Sequence, residues 1–82
     1  MSGEILTVEI DSPEKQIWQG TALSVTSENS AGLFDILPMH ANFITIIEKK
    51  PIKIKTAGKI EEFNFDNAII YVSKNKVLIY TL

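Results

Sequence analysis

Gly32-Leu33-Phe34-Asp35-Ile36-Leu37-Pro38-Met39-His40-Ala41-Asn42-Phe43-Ile44-Thr45-Ile46 is the stretch on which the fold of this chain turns. A glycine opens it, and a proline corner from Pro38 to Ala41 divides it. From Asn42 to Ile47 it is almost continuously apolar, with β-branched and aromatic residues prominent. A short run of that composition is expected to form a central, well-covered strand. The corner leaves room for one short helical turn between Pro38 and Asn42. Upstream, Ser27-Glu28-Asn29-Ser30-Ala31-Gly32 is small and polar, and is expected to be an exposed loop.

Outward from this stretch, the dominant period is two. Leu6, Val8 and Ile10 alternate with Ile5, Thr7 and Glu9; Leu23 and Val25 with Ser24 and Thr26; Ile52 and Ile54 with Lys53 and Lys55. Phe63 and Phe65 flank Asn64 in the same way. Each pattern predicts a strand with one face in the core and one in water. Ala68 to Val72 and Val77 to Leu82 are more continuously apolar and are expected to be central strands. Asp11-Ser12-Pro13, Gly20, Lys50-Pro51, Ala57-Gly58-Lys59, Asp66-Asn67 and Lys74-Asn75-Lys76 supply the turns between them. Turns about every ten residues favour a sandwich or barrel. No segment of helical length places apolar residues at i, i+3, i+4 and i+7, and no internal repeat or linker is visible.

The 82 residues make one domain, 1–82, and 45% hydrophobic content suffices for one core. The absence of cysteine excludes disulfides, zinc–thiolate sites and cysteine nucleophiles. A net charge of −2, with both signs scattered, argues against nucleic-acid binding, because no basic stripe carries aromatic platforms. Met1-Ser2-Gly3-Glu4 lacks the basic region of a signal peptide, and no apolar run approaches the roughly 20 residues of a membrane span.

The residues that could carry chemistry do not assemble a site. His40 is the only histidine, so a metal site lacks a second histidine or cysteine. Asp35 is its nearest acid in sequence, without a nucleophile elbow. His40 is expected to order the Pro38–Ala41 corner through its ring nitrogens or to meet a partner. Trp18 is expected in the core or at its edge. Glu61 and Glu62, adjacent on a strand, face opposite ways and cannot converge on a substrate. The glycines form no phosphate loop, so no nucleotide, cofactor or catalytic residue is expected. Binding to proteins through Ser27 to Leu33 and the Pro38-Met39-His40 corner remains.

Three motifs in order, Ser12-Pro13-Glu14 through Trp18 to Gly20, then Gly32 to Thr45, then the hairpin Ala68 to Val72 and Asn75 to Ile79, resemble the amino-terminal domain of the epsilon subunit of the rotary F-type ATP synthase. The resemblance runs from about Leu6 to Tyr80. It implies an all-β, flattened ten-stranded β-sandwich or barrel in the central stalk, non-catalytic, bound to the gamma subunit and the c-ring, and coupling ion flow to ATP synthesis. It places Ser12, Pro38, His40 and Ala41 towards gamma, and Glu28, Asn29, Ser30, Ala31, Gly32 and Leu33 towards the c-ring. It implies a peripheral location at the cytoplasmic face of the bacterial inner membrane.

Several positions depart from the family pattern. Glycine is usual where Asp35 and Met39 stand, and a positive φ would strain Met39, so the corner is expected to be built differently. Leu33 replaces an acidic or polar residue, which removes the basis for a charge contact there. Asn67-Ala68 replaces a Gly-Gly pair, and alanine tolerates the left-handed region poorly. Family members continue into a carboxy-terminal pair of helices used for inhibition and, in some, for ATP binding. With Leu82 directly after the last strand, the expectation is a naturally short form that does not bind ATP or inhibit through a tail. The alternatives are a free-standing β-sandwich interaction module and, more distantly, a small ligand-binding barrel or enzyme.

Overall fold

The computed structural model describes residues 5–82; the signal-peptide reading of Met1 to Glu4 lies outside them. Nine strands form two sheets among the described residues, and no helix is present there. One sheet contains β1 (Leu6–Asp11), β2 (Gln16–Ala22), β5 (Phe43–Glu48), β8 (Asn67–Ser73) and β9 (Lys76–Thr81), in the order β2-β1-β9-β8-β5. The other contains β3 (Ser24–Asn29), β4 (Gly32–Ile36), β6 (Pro51–Lys55) and β7 (Ile60–Asn64), in the order β4-β3-β6-β7. All pairings are antiparallel except β1 with β9. The sandwich is as expected, with nine strands in place of ten. Residues 37–42 add no strand or helical turn, since Pro38 has no N–H to donate and Met39 leaves the extended region.

The period-two residues fill the space between the sheets. Leu6, Val8 and Ile10 of β1, Val25 of β3, Ile52 and Ile54 of β6, Ile70 and Val72 of β8, and Val77 and Ile79 of β9 are all buried. Trp18 closes one flank, its ring 6.1 Å from Phe63 of β7, and Phe63 stacks on Phe65 at 6.3 Å. Trp18 is therefore at the core edge. A bulge after Ile10 lets both Trp18 and Ile17 pack against the core: Ile10 pairs with Trp18 but Asp11 with Gln16.

Four expectations change. β5 is an edge strand, so Ile44 and Ile46 stand on the uncovered outer face at 67% and 60% exposure. Its continuous apolarity reflects two apolar faces, only one of which the domain covers. Leu23 does not alternate into the core with Val25; it lies at the bend between β2 and β3 and is exposed. Ser27 to Gly32 is not a loop. Only Ser30 and Ala31 lie in the turn, because the Asn29 side chain accepts from the Ala31 N–H at 2.8 Å and Gly32 takes φ 123°. Ser27 is buried and donates to the Pro51 carbonyl at 2.9 Å. Asn67 and Ala68 begin β8 as ordinary strand, with no positive φ at either, so the Gly-Gly replacement carries no strain.

Candidate protein-interaction surfaces

The Pro38–Ala41 corner keeps the left-handed bend, against expectation. Met39 holds φ 71°, a conformation glycine adopts freely and methionine does not. A compensating bond comes from across the sheet: the Met39 N–H donates to Asn75 Oδ1 at 2.6 Å. Asn75 is placed for this by the tight β8–β9 turn, in which Lys74 and Asn75 both have positive φ, as a twisted two-residue hairpin turn requires. The His40 N–H donates to the Leu37 carbonyl at 3.1 Å, closing the turn. The His40 ring orders the corner as expected: Nδ1 lies 2.7 Å from the Ala41 carbonyl, so Nδ1 carries the proton and donates. The ring also meets Phe43 edge-on at 5.6 Å, and Phe43 meets Phe34 at 5.3 Å. Asp35 is no partner for His40. It accepts from Thr26 Oγ1, its cross-strand neighbour.

The Ser12 turn is tied by its own side chain. Ser12 Oγ accepts from the Lys15 N–H at 3.2 Å and donates to the Lys15 carbonyl at 3.1 Å, while the Ser12 N–H donates to the same carbonyl at 2.8 Å. Two carboxyls share the outer face of β1 beside it. Glu9 lies below the usual glutamate range because it accepts from the Asp11 carboxyl and then from Gln16, with Lys76 adding attraction. Asp11 is raised, because it is the carboxyl that keeps the proton towards Glu9. The two carboxyls are thus displaced in opposite directions. Folded-state stability from Glu9 is present above its unfolded pKa and fades as acid protonates it; that from Asp11 is present below its unfolded pKa and fades as pH rises through the raised value. Carbon-detected carboxyl NMR should show Glu9 titrating below the ordinary glutamate value and Asp11 above the ordinary aspartate value, and Asp11→Asn should leave Glu9 still depressed. Ordinary values at both carboxyls would remove the shared proton.

The structure does not gather the sequence-nominated residues into one place. Phe43 pairs with Val72, so the Pro38, His40 and Ala41 corner lies at the end of the sandwich occupied by the β8–β9 turn. Ser12 follows Asp11, which pairs with Tyr80, at the opposite end. Between them runs the outer face of the five-stranded sheet. Tyr80, Ile69 and Ile46 form one row across β9, β8 and β5, and Leu78, Tyr71 and Ile44 the next. Sequence reasoning missed this face. The signal was the absence of alternation in β5, β8 and β9. By contrast, the outer face of the four-stranded sheet carries Thr26, Glu28, Asp35, Lys53, Lys55 and Glu62.

The β3–β4 hairpin, from Glu28 to Leu33, borders the apolar face. The Asn29 amide donates to Thr45 Oγ1 at 2.9 Å, fixing the hairpin beside β5. Glu28, Asn29 and Ser30 thereby wall a groove of about 670 Å³ floored by Ile44, Ile46 and Ile69 and rimmed by Glu48 and Lys50. Leu33, opposite Glu28, is 79% exposed. Glu61 points towards the core side and pairs with Lys59 at 3.5 Å, while Glu62 faces outward, so the two do not converge. No cluster of metal-ligating side chains occurs among the described residues, and no helix there is long and apolar enough to cross a membrane.

Comparison with known proteins assigns the fold to a family. The family model described as ATP synthase, Delta/Epsilon chain, beta-sandwich domain matches residues 5–82. The ATP synthase epsilon chain of Leptospira borgpetersenii serovar Hardjo-bovis (strain JB197) is 32% identical over 76 residues, 93% of this chain and 60% of that protein. That of Sulfurimonas denitrificans (strain ATCC 33889 / DSM 1251) is 33% identical over 75 residues, 90% of this chain and 58% of that protein. The chain thus spans about 60% of the length of these curated relatives. Among solved structures, the Euglena gracilis mitochondrial ATP synthase OSCP/F1/c-ring contains a chain that superposes with a TM-score of 0.87 over 96% of this chain and 51% of that one. The Tetrahymena thermophila mitochondrial ATP synthase central stalk and c-ring gives 0.79 over 94% and 63%. At 15% and 14% identity, these two superpositions speak to the fold alone. A family match over the whole described chain, on a two-sheet sandwich of the expected kind, places this protein in the ATP synthase delta/epsilon-chain β-sandwich family.

Proposed function

We propose that this domain is a non-catalytic central-stalk element of a rotary ATP synthase, binding the gamma subunit and the c-ring and helping to couple ion translocation to ATP synthesis. It would do so as a peripheral component at the cytoplasmic face of the membrane. The observation that carries the reading is the uncovered apolar outer face of the five-stranded sheet, in a chain of this family. A face with Ile44, Ile46, Tyr71 and Tyr80 exposed together is what a protein partner covers. It also joins the two elements assigned to gamma: a partner touching both Ser12 and His40 lies along this face, spanning about 20 Å for a six-residue strand. The c-ring contact falls to Glu28, Asn29, Ser30, Ala31, Gly32 and Leu33, at the Ser12 end. The domain contributes a rigid docking surface and no chemistry.

Reconstitution with the cognate gamma subunit and c-ring tests the two contacts separately. Leu33→Arg places a cation opposite Glu28 on an exposed position, so the isolated domain should keep its urea midpoint while c-ring association falls. His40→Glu removes the Nδ1 donor at the corner and should weaken gamma association. If both variants assemble like the parent chain, the assignment of the two surfaces is wrong.

A further inference from the structure

Among the described residues, four other than glycine hold a positive φ: Met39, Lys49, Lys74 and Asn75. Lys49 lies in the tight β5–β6 turn, and Lys74 and Asn75 in the β8–β9 turn. Met39 alone is in a longer connection, and the strain gains the domain little packing. Its side chain is 75% exposed, and its sulfur touches Asn75 Nδ2 at 4.0 Å. A residue held in a sparsely populated backbone region with its side chain presented to solvent is the kind of strain that persists at functional sites. Leu37, two residues earlier, is 54% exposed. The β3–β4 register carries Leu37 one step past Val25 and Ile36, beside Ser24, which pairs with Lys55. Lys74 adjoins Asn75, which holds the Met39 N–H. The nearby carboxylates are engaged: Asp35 by Thr26, Glu61 by Lys59.

We propose that Met39 and Leu37 form an apolar anchor entering a hydrophobic socket on the gamma subunit, whose rim carries carboxylates that meet Lys74. The proposal rests on the reading of this corner as the gamma side, and adds what the partner surface must be made of. The left-handed backbone turns the methionine outward instead of letting it fold onto the domain. Its unbranched thioether adapts to the socket, and Lys74 gives orientation and on-rate.

The test uses the 82-residue chain and its cognate gamma subunit, with affinity measured by biolayer interferometry at low and high salt and stability by urea unfolding. Met39→Gly removes the anchor and relieves the strain together, so the urea midpoint should rise while gamma affinity falls about tenfold or more. Lys74→Glu should weaken binding several-fold at low salt, with the loss shrinking as salt screens it. Leu37→Ser leaves the Met39 backbone untouched and keeps the test decisive if the glycine variant unsettles the fold. Parental affinity in both Met39→Gly and Leu37→Ser overturns the anchor while gamma binding by the parent chain stands. Failure of the parent chain to bind gamma overturns the gamma reading and the anchor with it.

Discussion

Replacing Ile79 with alanine should destabilise the domain by about 2–5 kcal/mol, read as a lower urea midpoint with an unchanged slope. Ile79 is 1% exposed and lies on β9, the middle strand of the five-stranded sheet, opposite Ile10 on one side and Ile70 on the other. Truncation leaves a void that neither neighbour can fill without moving its own strand. A domain of this size has a total stability of only about 5–15 kcal/mol, so the variant loses a large fraction of it. Ile46→Ala is the matched control: the same residue pair on an outer strand face, 60% exposed, with an expected change within about 0.5 kcal/mol. Equal losses in the two variants would mean that the outer face of β5 is covered in the free domain and is not available to a partner.

The second large effect is expected at Gly20. A methyl group there would stand 2.9 Å from Cη2 and 3.1 Å from Cζ2 of Trp18, whose indole lies over the glycine on the same face of β2. Trp18 is held from its other side by Phe63 at 6.1 Å, so the ring has little freedom to retreat. Gly20→Ala should therefore destabilise by about 1–3 kcal/mol through overpacking, and shift the emission of the only tryptophan. The double variant Trp18→Phe with Gly20→Ala should recover part of the combined loss, since the smaller ring vacates the contested space. Strict additivity would show that the penalty at Gly20 arises in the backbone and not against the indole.

Much of the sandwich was legible because burial in a two-layer fold imprints a period of two. Leu6, Val8 and Ile10, and Ile52 and Ile54, are buried as their alternation requires. Where alternation failed, the chain was reporting a surface that the domain itself does not cover. Ile44 and Ile46 are apolar for the outside of β5, and a single sequence does not separate that from a strand covered by its own fold. The corner illustrates a different limit. Strain at Met39 was foreseeable from its side chain, but the bond that offsets it comes from Asn75, 36 residues away. Local propensity carries no information about such a partner. The segment Ser27 to Gly32 misled for a local reason: polar composition suggested a loop, while the Asn29 side chain compressed the turn to two residues and buried Ser27 within a strand. The loop reading nominated Ser27 to Leu33 and the Pro38-Met39-His40 corner for protein binding, but Ser12 and the division between gamma and the c-ring came from family resemblance alone. Nothing in the spacing of Ser12 and His40 indicates that they lie at opposite ends of the sandwich.

The parallel pairing of β1 with β9 has a consequence for how the molecule is completed. β9 comes last among the nine strands in chain order yet occupies the centre of the five-stranded sheet, between β1 and β8. Without β9 that sheet would fall into two unconnected ribbons, β2 with β1 and β8 with β5, each with a raw inner edge. The first eight strands can therefore form local hairpins but cannot close a core. β9 reaches β8 through a two-residue turn, so the long-range step is its pairing with β1, for which chain-closure entropy must be met before any packing gain is collected. Shortening the chain by its final six strand residues would not trim a border; it would cut the sheet through its middle.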